Sequence, residues 1–188
     1  SVAAAGTTQM MSADALSNAI PQSLHEILAA RIDMLPDPVR DVLAIASTLG
    51  ESFREEFLYQ IAPAHLGPKF GVQELVRQGL MEAGADAYER VWIGFNPRAL
   101  RQVVYDRVPK SARQKFHMGV IEFLETAAGV AAVDLIEVPL MLAFHYEAVE
   151  GWEGAAHYMM RAGDILLDLY DYPSAIGQYR SGRQLLED

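Results

Sequence analysis

The chain reads as mainly α: a helical unit carrying a small β-hairpin, followed by an antiparallel helical segment. Three observations predict this class. Apolar residues recur at three- and four-residue spacing through most of the 188 positions. Two short β-like runs, Leu80 to Ala83 and Val91 to Phe95, interrupt that pattern near the middle. Proline and glycine then divide the rest into stretches of helix length. A hydrophobic fraction of 51% with 21% charged residues is enough for one substantial core or two small ones, which argues against disorder of the whole chain.

Residues 1 to 19 are rich in Ala, Ser and Thr with little periodicity and read as a flexible arm or linker. Order is expected from Pro21, because Ser23 and Glu26 have capping-box spacing and are followed by Leu24, Ile27, Leu28, Ile32 and Leu35 at helical spacing. Asp37 is placed as an N-cap with Pro38 in the first turn of a second helix, whose stripe Val39, Val42, Leu43, Ala46 and Leu49 is stopped by Gly50. A short helix over 54–61 follows, then another from Lys69 to Gln78 with Val72, Leu75 and Val76 inward. The two β-like runs are joined by Gly84-Ala85-Asp86-Ala87, a turn by composition. Helices followed by a hairpin is the winged-helix order, assigned to residues 20–108.

Residues 109–138 read as a connecting helix and loop, with Phe116, Val120, Phe123, Leu124 and Ala127 on one face and a loop from Gly129 to Val138. Helices are expected near 139–149, 153–169 and 173–187, and their short connections make them antiparallel neighbours.

The residues carry little chemistry. Without cysteine there is neither a disulfide framework nor a thiolate metal site, and the composition suits a reducing compartment, so the chain reads as cytoplasmic. No apolar run is long enough for a bilayer. The phosphate-binding pattern GxxxxGK[ST] is absent, and in Gly67-Pro68-Lys69 the proline removes a donor. His25-Glu26 opens like a zinc-protease helix, but Ala29 stands where the second imidazole belongs. Of the five histidines, His145 falls near Glu147 and His157 and reads as a packing or hydrogen-bonding residue. No catalytic, cofactor or metal residue is therefore assigned.

A net charge of −10 disfavours nucleic acid and anionic lipid as default partners. One stretch runs against that charge: Arg98, Arg101, Arg107, Lys110, Arg113 and Lys115 face Asp106 alone, leaving −15 for the remainder. These six are the candidate surface for an anionic partner, the alternative being a solvated face paired with nearby acids. The 69–78 helix offers only Lys69 and Arg77 around Glu74, too few cations to track a phosphate backbone.

The segment IPQSLHEILAARIDMLPDPVRDVLAIASTLGESF resembles the junction between the ATPase core and the winged helix of STAND-type signal-transduction ATPases, a class that includes large transcription regulators and proteins with adenylate or guanylate cyclase domains. FNPRALRQVVYDRVPKSARQKFH is similar to that class's post-wing segment, and LAFHYEAVEGWEGAAHYMMRAGD to its entry into tetratricopeptide-like (TPR-like) helices. Gly163, Ala175, Tyr179 and Gly182 fall at the spacings of the repeat's signature positions. The turns Gly151-Trp152 and Asp171-Tyr172 lie about 20 residues apart rather than the ~34 of tandem repeats, so residues 139–188 look like a truncated array.

The resemblance implies a non-catalytic regulatory segment that couples a nucleotide-switch core to a helical sensor. Its partners would be other domains of the same polypeptide and a protein received by the C-terminal helices. ATP and magnesium would belong only to an upstream domain. The alternative is a winged-helix DNA-binding regulator.

Overall fold

The computed structural model describes residues 22–85, 89–126 and 137–187, and shows a mainly helical chain with one small three-stranded antiparallel sheet. The arm over 1–19, the tip of the hairpin turn and most of the 129–138 loop lie outside the described residues.

Helix α1 (Gln22–Asp33) buries Leu28 and Ile32, one turn apart. Ser23 lies inside this helix rather than ahead of it, so the capping box expected there does not form. Helix α2 (Asp37–Leu49) buries residues on nearly all sides, from Val39 and Val42 through Leu49, as a central helix must. Its N-cap is Pro36 and not Asp37: Pro36 holds an extended φ of −57° and ψ of 144°, which leaves Asp37 in the first turn beside Arg40 at 3.2 Å. There the Asp37 carboxylate complements the helix dipole instead of capping it. Buried Ser47 and Thr48 return their hydroxyls to the carbonyls of Ala44 and Ile45, so neither is left unpaired.

Strand β1 (Ser52–Arg54) was not expected from the sequence, and it displaces the start of the next helix, α3 (Glu55–Ile61), by one residue. After a single 3-10 turn (Ala64–Leu66), α4 (Pro68–Arg77) opens on a proline, whose missing N–H costs no bond at that position. Strands β2 (Met81–Ala85) and β3 (Val91–Phe95) complete a sheet of order β1-β3-β2. Gly84 and Ala85, expected in the turn, are instead part of β2: Gly84 pairs with Trp92, and a Cβ on Gly84 would sit 2.5 Å from the indole. The missing side chain lets the ring lie across the neighbouring strand.

Helices α5 (Ala99–Arg107) and α6 (Lys110–Leu124) follow on either side of Pro109. The inward face of α6 runs through His117, Val120, Ile121 and Leu124, with Phe116 and Phe123 only half-buried at its edge. Helix α7 (Glu137–Ala148) starts two residues before the expected Pro139, because a proline in the first turn breaks no hydrogen bond. It packs between α6 and α8 (Trp152–Asp168), and α8 packs against α9 (Tyr172–Glu187).

One contiguous core joins these elements, from Leu28 on α1 through Phe53, Met81, Ile93 and Phe95 of the sheet to Val138 and Leu142 on α7. Helix α7 thus belongs to the same core as the sheet-bearing half. The α8–α9 contact is built differently, around small residues: Ala156 and Gly163 on α8, and Gly182 with buried Ala175 on α9. A Cβ on Gly163 would meet the Tyr179 ring at 2.6 Å, and one on Gly182 the Ala156 carbonyl at 3.2 Å, so the two helices run antiparallel at close approach.

Candidate functional site

The most unusual chemistry lies where α5, α6 and α7 meet. Leu100, Val103 and Val104 turn one side of α5 into the core, which leaves Tyr105 on its flank, half-buried and directed at α6. On α6, Arg113 and His117 are one turn apart and share a face. His117 Nε2 lies 3.0 Å from the Tyr105 hydroxyl, and its Nδ1 lies 2.7 Å from Nδ1 of His145 on α7. Both imidazoles are buried, at 0% and 1% exposure. Phe144 closes the group edge-on, 5.8 Å from His117 and 5.1 Å from His145 between ring centroids.

Electrostatics hold the pair neutral. Burial, then the Arg101 and Arg113 guanidiniums, push His117 down from 6.5 to about 4. Burial, then His117 and Arg101, push His145 well below 6.5. A bond between two Nδ1 atoms requires one of them to carry the proton. If His117 donates, its Nε2 is bare and accepts from the Tyr105 hydroxyl. If His145 donates, His117 Nε2–H donates to Tyr105. Either arrangement satisfies both ring nitrogens of His117.

A second polar junction ties the same elements farther out. Glu125, just past the end of α6, accepts from the Tyr146 hydroxyl at 2.7 Å and from the Tyr158 hydroxyl at 3.0 Å. The two phenol rings, one on α7 and one on α8, stack at 5.6 Å. The hydrogen bond to Glu125 raises Tyr146 to about 12.

The six cations singled out by charge do not act alike. Arg101 donates to the Ser47 carbonyl at 2.9 Å and lies 5.2 Å from the Tyr105 ring centroid, while Arg113 lies 4.7 Å from the same ring. Burial lowers Arg101 from its usual range, opposed by Tyr105, Glu51 and Asp106. Arg107 pairs with Asp33, Lys110 with Glu150, and Arg98 approaches Glu51 at 3.8 Å. Lys115 is exposed. Two of the six therefore face inward and three meet acids of this chain.

His145 is the buried, hydrogen-bonding residue that the sequence suggests, although its partner is not one of its sequence neighbours. It pairs with His117, 28 residues upstream, whereas His157 is exposed against Tyr158 at 5.0 Å. Among the described residues no group of three or more His, Asp or Glu could hold a metal ion, and no helix is long and apolar enough to cross a membrane. A shallow groove of about 380 Å3 lies between α3, α4 and β3, lined by Tyr59, Val72, Val76 and Ile93 with Glu55 and Arg77 at its edge. No known family, curated protein or solved structure matches the chain.

Proposed function

We propose that the chain is a regulatory and protein-interaction segment of a multidomain signalling ATPase, a winged helix joined to TPR-like helices, which couples a nucleotide-switch core to a helical sensor. The observation that carries this reading is the joint at α7. One helix shares its core with the sheet-bearing half, bonds through His145 to α6, and packs its other side on α8. The C-terminal helices are thereby joined to α6 and α5 through packed side chains, so that a displacement of α8 would be felt at α6.

The order α2, β1, α3, α4, β2, β3 with strand order β1-β3-β2 supports the winged-helix part of the reading. Gly163 beneath Tyr179, with Ala175 and Gly182 buried against α8, supports the TPR-like part. The DNA-binding alternative finds less support. In α4, Arg77 is held by Glu74 at 2.6 Å and Lys69 lies over the Tyr59 ring at 5.5 Å, so few free cations face outward.

Calorimetric titration with magnesium–ATP tests the reading. The chain should give no binding heat, since nucleotide would belong to another domain, and micromolar binding with hydrolysis would overturn it. Retention of duplex DNA at low salt that is lost on Arg98→Glu would favour the alternative.

A further inference from the structure

We propose that the buried His117–His145 contact is an acid-sensitive latch, which holds α7 on α6 while both imidazoles are neutral and releases it when the pair takes up protons. The latch is a property of the α6–α7 contact and needs no nucleotide domain, so it stands or falls apart from the ATPase reading.

The two Nδ1 atoms are 2.7 Å apart, and a hydrogen bond of that length has room for one proton. A first added proton makes His117 a donor at both nitrogens, to His145 on one side and to the Tyr105 hydroxyl on the other. Hydrogen bonding accepts that cation, but its surroundings oppose it. The ring is fully buried, and the Arg101 and Arg113 guanidiniums lie 5.2 and 4.7 Å from the centroid of the Tyr105 ring. Among the described residues neither imidazole has a carboxylate partner to offset the charge. A second proton sets two N–H groups against each other, and the bond between the helices is gone.

The other charged groups around the joint are engaged elsewhere. Asp106 on α5 accepts from Gln102, and Glu51, just after α2, acts on Arg101. Glu55 of α3 accepts from Tyr59. Glu147 on α7 is half-buried and raised by that burial. Arg161 of α8 lies 5.9 Å from the Tyr158 ring. Glu125 accepts from Tyr146 and Tyr158, and Glu150 pairs with Lys110; both tie α6 to the helices beyond it and lose that tie on protonation. Acid therefore acts on the joint at two places. Release frees α7 together with α8, which packs on its other side, while the sheet keeps its own ladders.

Residue-resolved NMR of the whole chain, titrated from about pH 7 to about pH 3, tests the latch. Amide resonances of α6, α7 and α8 should move in one transition, at higher pH than those of β1 to β3, and the imidazole nitrogens of His117 and His145 should change with them. Arg113→Gln removes a repelling charge, lets the folded pair keep its first proton, and should lower the midpoint by about half a pH unit. Lys115→Gln removes the same charge from an exposed position of α6 and should leave the midpoint in place. His145→Asn keeps a hydrogen-bonding atom for His117 Nδ1 without binding a second proton, and should lower the midpoint by about one unit. Arg113 is only half-buried, so its variant decides the matter even where His145→Asn does not fold. Loss of sheet and joint together at one midpoint, an equal shift from Lys115→Gln, or a transition abolished by Glu125→Gln and untouched by Arg113→Gln would each overturn the proposal.

Discussion

His117 and His145 make stability a function of pH. The folded pair stays neutral because burial and the neighbouring Arg101 and Arg113 penalise the charged form. Between 6.5 and about 4 the unfolded chain binds more protons at His117 than the folded one, so stability is full above 6.5 and falls as pH falls. From His117 alone the loss on acidifying to about pH 5 is ~2 kcal/mol. Glu147, raised by burial, works in the opposite direction at the acid end. Chemical denaturation along a pH series should show this slope, and His117→Gln should flatten it. Tyr170 is a second residue-scale test. It adopts φ 62° at the end of α8, where a side chain is strained, and its ring is 78% exposed. Tyr170→Gly should raise stability by ~1 kcal/mol, read as a higher denaturation midpoint.

At the scale of elements, Glu125 is the point where α6, α7 and α8 are pinned together by two phenols. Glu125→Gln replaces a charged acceptor by a neutral one and should cost about 1 kcal/mol, with Tyr146 titrating nearer its ordinary 10.0 in ultraviolet absorbance. The helices themselves were largely legible from apolar spacing and from Gly50, Pro109 and Gly151 as stops, with ends off by a residue or two. Strand β1 was not, since three residues cannot display alternation and Phe53 alone turns into the core. Gly84 read as a turn residue because composition cannot tell a glycine needed for a bend from one needed beneath an indole. The His117–His145 bond had no local signal. Its partners are 28 residues apart, and what brings them together is the packing of α7 on α6. Of the charged stretch, sequence showed the excess of cations but not that Arg101 and Arg113 would be spent on Tyr105.

For the whole molecule, the consequence is mechanical continuity. A core running from Leu28 to Leu142 makes α1 to α7 one packed body, and α7 hands that body to α8 through Tyr146 and Tyr158. Packed interfaces of this kind shift between discrete arrangements rather than bending smoothly, which is what the proposed coupling role requires. The most direct test is amide hydrogen exchange on the whole chain and on His145→Phe, which leaves His117 Nδ1 without its buried partner. The account predicts faster exchange both in α2 and α6 on one side of the joint and in α8 on the other. Faster exchange confined to α6 and α7, with α8 protected as in the parent, would contradict it.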